Sequence, residues 1–378
     1  MLEITQLRKT YRDKREQVYA LDGIDLAVKK GEFLVLLGPS GCGKTTTLRS
    51  IAGLERPDEG EITIDGQPVY AAAQHIFVPP EKRPISMVFQ SYAIWPHLSV
   101  YDNVALPLKV GHRRLEQEER EKRIKEVLAL LGLESLADRK VTALSGGQQQ
   151  RVSLARAIAQ RPKVLLMDEP LSNLDYKLRV RLRSELKALM HQLELTTVYV
   201  THDQEEALAM GDRIAVMNQG KLIQLGTPRE IYQQPLTEFV ARFIGEMNFI
   251  SGTVRQIDQD EVHLETALGN LVGKVPKDGQ RPVVGQKRTL GIRPTDIGMI
   301  PEQTAEARGD QVAGTIVSAQ YLGESIDYTV QAGPITLQVK THHRLVFQPN
   351  DSVTLQFDPK YAIVIEPDDE TGWGKRHE

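Results

Sequence analysis

The 378-residue sequence has a single cysteine, Cys42. That excludes an internal disulfide framework and fits a reducing compartment. No apolar run approaches the roughly 20 residues that a membrane-spanning helix needs. The start, Met1-Leu2-Glu3-Ile4-Thr5, lacks a basic segment followed by an apolar one, so no secretory signal is expected. Excess charge of either sign is also missing: 47 Lys and Arg against 50 Asp and Glu leave a net −3. Nothing in that balance predicts bulk attraction to nucleic acid or anionic lipid. The composition as a whole, 40% hydrophobic and 26% charged, is the mix of a soluble globular protein. Its length favours two or three domains. A chain of this kind would work at a membrane only as a peripheral subunit.

Along the first part, short apolar runs alternate with helical stretches, which predicts a mainly parallel sheet and an α/β fold. Phe33 to Leu37 and Val164 to Met167 read as buried strands, and Thr196 to Val200 as another β-rich run. Thr45 to Ala52, Tyr176 to Leu193 and Glu205 to Met210 read as helices. Asn218-Gln219-Gly220, between two β-rich runs, is a hairpin signal. Glu116 to Leu131 reads as an amphipathic helix with Ile124, Val127, Leu128 and Leu131 on one face. Its pairs Glu116/Arg120, Glu119/Arg123 and Glu121/Lys125 suit a solvated outer face. The span from about Ser91 to Gln160 is helix-rich and reads as an insertion in the core.

Beyond Leu236 the pattern changes to short β-rich runs broken by Gly, Pro and Asp. A weak internal repeat runs through it. Gly252-Thr253-Val254 is echoed by Gly314-Thr315-Ile316, and Thr289 to Pro294 by Thr354 to Pro359. Two small barrel-like units of the OB kind would explain the echo, as would chance similarity among β-rich segments. The polar tail from Asp368 to Glu378 is expected to fray.

Three segments carry chemistry. The first is Gly38-Pro39-Ser40-Gly41-Cys42-Gly43-Lys44-Thr45-Thr46, set between a strand and a helix, the context a phosphate-binding loop requires. Gly38, Gly41 and Gly43 allow successive N–H groups to turn inward, and the helix that follows adds its positive dipole end. Lys44 would reach the β- and γ-phosphates of a nucleotide, and the Thr45 hydroxyl would bind Mg²⁺. Cys42 reads as a small loop residue, not a nucleophile. The second segment is Asp168-Glu169-Pro170, at the carboxyl end of an apolar strand. Asp168 would hold the metal, and Glu169 would orient or deprotonate a water. The third is Leu144-Ser145-Gly146-Gly147-Gln148, just ahead of a helix over Gln149 to Ala159. Taken alone it is either a plain helix cap or a second anion site.

In their order along the chain, with Leu144–Gln148 between the phosphate loop and Asp168-Glu169-Pro170, the three segments resemble the ATP-binding cassette (ABC) ATPases. The resemblance implies a P-loop ATPase core with a helical insertion over about 91–160. It implies further that Ser145, Gly146, Gly147 and Gln148 bind the ATP held by the P-loop of a second copy, in an isologous dimer. Gln90 matches the glutamine that senses Mg²⁺ or the lytic water. Asp175 matches the D-loop aspartate, and His202 the histidine that contacts the γ-phosphate. Tyr11 stands where the family places an aromatic on adenine; Tyr19 is the alternative, and Tyr11 is favoured from its place before the loop leading to Ala20.

The C-terminal β region, with Gly291 to Pro294 and Tyr321-Leu322-Gly323, resembles the regulatory domain of the maltose, polyamine and ferric-iron importer ATPases. The expectation is therefore a nucleotide-binding domain over 1–236 and an all-β, OB-like regulatory domain over 237–378. The implied function is ATP hydrolysis at the cytoplasmic face of the membrane, beneath permease subunits served by an extracytoplasmic solute-binding protein and without nucleic acid. Tyr92 and Trp95 suit a permease contact, with core packing as the alternative. A non-transport ABC ATPase acting on nucleic acid or the ribosome is the rival, and a P-loop kinase a more distant one.

Overall fold

Five consecutive buried residues, Phe33–Leu37, form a central strand of a six-stranded sheet. In the computed structural model, which describes residues 1–12, 17–110, 114–302 and 311–367, the sheet order is Lys221–Gly226, Arg213–Asn218, Phe33–Leu37, Thr196–Thr201, Val164–Asp168, Ile85–Val88. All neighbours are parallel except the edge hairpin. Parallel strands are covered on both faces, which is why these read as unbroken apolar runs and not as alternations. The hairpin turns at Gln219 and Gly220, both with positive φ (47° and 78°), as the twist of a two-residue loop demands.

A second, antiparallel sheet has the order Gln17–Val28, Leu2–Arg12, Glu59–Ile64, Gln67–Ala71, Ile76–Phe77. The two sheets share one core: Leu2, Ile4, Leu26 and Ile62 pack with Leu34, Leu36, Val164 and Val200 around Leu48 and Ile51 of helix Lys44–Ala52.

Helices Val100–Lys109, Gln117–Leu130 and Gly146–Ala159 occupy the expected insertion. Ile124, Val127 and Leu128 are buried as the periodicity predicts. The expected Glu119/Arg123 pair gives way to a longer-range contact. Arg123 donates to the carbonyls of Ile158 (2.9 Å) and Ala159 (3.2 Å), capping the C-terminal end of the next helix, where a cation is favoured.

The chain divides into compact units at Met1–Pro228 and Arg229–Glu378, slightly ahead of the boundary expected near Leu236. The second unit opens with two short helices, Pro228–Gln233 and Glu238–Phe243, and continues in mostly antiparallel strands. Asn248–Asp258, Glu261–Thr266, Gly269–Lys274, Ile363–Ile365 and Lys287–Ile292 form a closed barrel with the OB strand order. Ile297–Pro301, Ser352–Phe357, Gln311–Tyr321, Ser325–Ala332 and Ile335–His342 form the other sheet.

The sequence echo is matched residue for residue. Gly252 lies opposite Arg288, and its counterpart Gly314 opposite Val353. Both strands bulge at the equivalent place, after Val254 and after Ile316. The expectation of two barrels is corrected in one respect: the halves exchange their last strands. Ile297–Pro301 follows the first half but pairs with Ser352–Phe357 of the second, while Ile363–Ile365 follows the second half and closes the first into its barrel. The tail at 368–378 lies outside the described residues.

Candidate functional site

Four neighbouring parallel strands deliver the sequence-derived residues to one edge. Phe33–Leu37 leads into the phosphate loop, Thr196–Thr201 into His202, Val164–Asp168 into Glu169, and Ile85–Val88 toward Gln90. This is the carboxyl edge at which open α/β sheets bind ligands.

In the loop, Lys44 is buried, and its ammonium donates to the carbonyls of Gly38 (2.7 Å) and Pro39 (2.9 Å). Gly43, with φ 108°, precedes the helix and has no room for a side chain: a Cβ there would lie 2.4 Å from the Ala20 carbonyl oxygen. A Cβ at Gly38 would lie 2.3 Å from the Met217 carbonyl oxygen. These two glycines therefore let neighbouring backbone approach the loop as well as shaping it. Cys42 is buried, and burial pushes its thiol pKa up, consistent with a packed loop residue.

The Thr45 hydroxyl lies 3.3 Å from Asp168 Oδ1. Burial raises the Asp168 carboxyl pKa, and the Thr45 bond partly offsets it. Among the described residues no cluster of three or more His, Cys, Asp or Glu could hold a metal. A threonine hydroxyl and one carboxylate suit Mg²⁺, which keeps waters and shares its shell with substrate phosphates instead of filling an all-protein cage.

Glu169 adopts a left-handed backbone, φ 44°, unusual for a non-glycine residue and costing about 1–3 kcal/mol. Its N–H donates to the Val200 carbonyl (3.1 Å), and its carbonyl accepts from the Ser172 hydroxyl (2.9 Å). The carboxylate so aimed receives two side chains on one oxygen. His202 Nδ1 lies 3.1 Å from Oε2, and Gln90 Nε2 lies 3.4 Å from it. Gln90 is held in turn, its side chain 3.3 Å from the Ser172 hydroxyl and its carbonyl accepting from Asn173 Nδ2 at 2.9 Å. Ser172 and Asn173 were not singled out in the sequence, because nothing local links them to a glutamine some eighty positions earlier.

Tyr11 is 43% exposed on the antiparallel sheet. Its phenol pKa is raised by burial and by the carboxylate of Glu55, with Thr46 of the phosphate-loop helix also in reach. Tyr19 pairs with Thr10 while Tyr11 pairs with Val18, so the two rings face opposite sides of the sheet. Only Tyr11 has this link to Thr46.

Ser145 caps a helix that begins at Gly146, three residues earlier than the sequence suggests. The cap is reciprocal: the Ser145 oxygen accepts from the Gln148 N–H (3.4 Å), and Gln148 Oε1 accepts from the Ser145 N–H (3.0 Å). Capping uses an oxygen lone pair and leaves the hydroxyl proton able to donate to an anion. Gly147 is buried, where a Cβ would sit 3.4 Å from Leu178 Cδ2. Asp175 likewise caps a helix, accepting from the Leu178 N–H at 3.0 Å. Within one chain Ser145 and Asp175 therefore have structural work, and neither joins the cluster around Glu169.

Tyr92 is buried, and core packing holds for it. Its carbonyl accepts from Ser153 (2.8 Å) and Arg156 (3.0 Å), whose guanidinium also lies 4.7 Å from the centre of the partly exposed Trp95 ring.

The ABC transporter family profile matches residues 21–172, and the TOBE domain profile residues 290–365. The trehalose/maltose import ATP-binding protein of Thermococcus litoralis is 49% identical, over 93% of this chain and 94% of that protein. The spermidine/putrescine import ATP-binding protein of Rubrobacter xylanophilus is 42% identical, over 92% of this chain and 89% of that protein. A solved dimeric ATP-binding cassette in a post-hydrolysis state, with ADP and Pi, is similar with a TM-score of 0.52 and 37% identity, covering 61% of this chain and 99% of that one. Among the described residues no helix is long and apolar enough to cross a membrane.

Proposed function

This chain belongs to the ABC transporter family of ATPases, and from that premise we propose that it powers a solute importer as a homodimer on the cytoplasmic side of a permease pair. An extracytoplasmic binding protein delivers the solute. The observation that carries the catalytic reading is the meeting of Gln90 and His202 on one oxygen of Glu169, beside Thr45 and Asp168.

In this reading Lys44 and the inward N–H groups of the loop bind the nucleotide phosphates. Thr45, Asp168 and the free amide oxygen of Gln90 would hold Mg²⁺, which would supply neutralisation of phosphate charge. Glu169 orients the attacking water in line with the γ-phosphate and takes its proton. Gln90 and His202 fix the carboxylate, and His202, with its side chain 57% exposed, can turn to the γ-phosphate as well. Ser145, Gly146, Gly147 and Gln148 of the second copy complete the site, and Asp175 lines the seam between copies. Support comes from the dimeric state of the solved cassette and from an exposed Ser145 whose hydroxyl proton is uncommitted.

Tyr11 stacks on adenine. Tyr11→Ala is expected to weaken ATP binding by about 1–3 kcal/mol, the worth of one base–aromatic stack, while Tyr11→Trp and Tyr19→Ala leave it near normal. Titration with a fluorescent ATP analogue checks this. Equal losses from Tyr11→Ala and Tyr19→Ala would remove the assignment.

The import reading is tested by reconstituting the chain with its permease pair in liposomes and measuring ATP hydrolysis against a panel of sugars, polyamines and ferric complexes. One solute class should stimulate turnover and accumulate inside, and Lys44→Ala should lose both. Turnover indifferent to every permease but stimulated by ribosomes or nucleic acid would instead favour the non-transport reading.

A further inference from the structure

Behind His202 lies a hydrogen-bonded relay that the catalytic reading does not use. Strand Thr196–Thr201 ends on Thr201, whose hydroxyl donates to Glu206 Oε2 (2.8 Å) and accepts from the Asp203 N–H (3.0 Å). The Tyr199 hydroxyl donates to the same Oε2 at 2.8 Å. Glu206 is 3% exposed and Tyr199 fully buried, so this is a dry carboxylate held by two hydroxyls. The Glu206 N–H donates to Asp203 Oδ1 (3.1 Å), capping helix Gln204–Met210. The other Asp203 oxygen, Oδ2, receives Arg179 Nη1 at 3.2 Å. The Arg179 Nη2 reaches on to the Leu174 carbonyl at 3.1 Å.

His202 thus sits between two anchored residues, Thr201 and Asp203. The second anchor continues through one guanidinium to the residue directly before Asp175. A planar guanidinium can serve a carboxylate and a carbonyl at once in fixed geometry; a lysine ammonium offers no such fork.

We propose that Arg179 is a positioning residue for ATP hydrolysis, tying the His202 turn to the Asp175 turn so that the two move as one body. The inference rests on the reading of His202 as a group acting at the γ-phosphate. In a dimer whose Asp175 turn lies at the seam, the tie lets the approach of the second copy set the His202 backbone. It also explains why Glu206 stays buried: it fixes the far side of the same turn, so that Arg179 pulls against a rigid anchor.

The test is a double-mutant cycle on the full chain with Arg179→Met and Asp203→Asn, with His202→Ala as the reference. Asn at position 203 can keep the helix cap with its one oxygen, and it removes both the charge and the second acceptor that Arg179 uses. The measurements are kcat and KM for ATP hydrolysis, affinity for a fluorescent ATP analogue, and Tm. Each single variant should lower kcat about 10- to 100-fold, the scale of a small misplacement of a catalytic group, with nucleotide affinity unchanged. The double variant should fall no further than the worse single, because both break one tie.

Unchanged kcat in the single variants, or losses that multiply in the double, would overturn the proposal. So would a loss that tracks nucleotide affinity or melting near the assay temperature, since either marks a merely structural role. Should Arg179→Met fail to fold, Asp203→Asn carries the same expectation and the same refutation. If His202→Ala keeps wild-type turnover, the reading of His202 is wrong and the proposal falls with it. If His202→Ala is inactive while Arg179→Met and Asp203→Asn turn over normally, this inference alone fails.

Discussion

Glu169→Gln should bind ATP as tightly as the wild type, lose about 10²- to 10⁴-fold in hydrolysis, and accumulate as an ATP-bound dimer. The amide is nearly isosteric with the carboxylate. Its oxygen can still accept from Gln90 Nε2 and from a His202 N–H, so the local geometry has no reason to change. What it cannot do is take a proton from water. The phosphate loop is untouched: Lys44 keeps its carbonyl partners, and Thr45 keeps Asp168. Binding and chemistry therefore separate. The dimer follows from mass action, since ATP holds the two copies together and hydrolysis is what releases them. Light scattering with Mg²⁺ and ATP should report a doubled mass for the variant and a return to monomer on exchange into ADP. Near-normal turnover would show that another group activates the water. Blocked turnover without a change in mass would leave Glu169 its role and remove the two-copy site.

The distance between residues in the chain decides how much of this arrangement can be read in advance. The phosphate loop is local: nine consecutive residues and the helix after them contain the whole device. Asp168 and Glu169 are nearly as local, because an apolar strand ending in carboxylates announces its own edge. Gln90 and His202 carry no such signal. Each follows a different strand, and only the order of the parallel sheet brings them to one carboxylate; resemblance found them where residue patterns did not. Asn173, Ser172 and Arg179 lie further out of reach, since Asn173 and Ser172 meet Gln90 and Arg179 meets Asp203, each across a different segment.

The fold follows the same rule. Fully buried parallel strands stand out as apolar runs. The antiparallel sheet hides because Leu2–Arg12 is irregular against both neighbours, with register shifts between Ile4 and Leu7, Leu7 and Arg8, and Lys9 and Thr10 against Gln17–Val28, and between Thr5 and Arg8 against Glu59–Ile64. Each bulge flips the alternation that marks a half-buried strand. The exchanged last strands of the second unit were equally hidden: the repeat in sequence fixes what each half resembles, not which half its last strand joins.

Ser145→Arg gives the other large effect, and mixing makes it diagnostic. Ser145 is exposed at the start of its helix, where its hydrogen bonds go to Gln148. A long cation placed there faces the phosphate loop of the neighbour and not that of its own chain, so ATP binding should be normal while hydrolysis at the neighbour's site falls at least about 100-fold. Loss of the serine cap costs about 0.5–2 kcal/mol, and Ser145→Ala carries that cost without the bulk. It should therefore share the lower Tm and keep far more activity. Lys44→Ala should be inactive for the opposite reason, with an intact signature and no grip on phosphate. Equal amounts of Ser145→Arg and Lys44→Ala chains, each inactive alone, pair at random, so half the dimers combine the two. Each mixed dimer has one intact site, made from the phosphate loop of the first variant and the signature of the second. Hydrolysis should return to about a quarter of wild type, the product of half the dimers and half their sites. In a protein whose signature served its own chain, no mixed dimer would contain an intact site, and the mixture would stay as inactive as its parts.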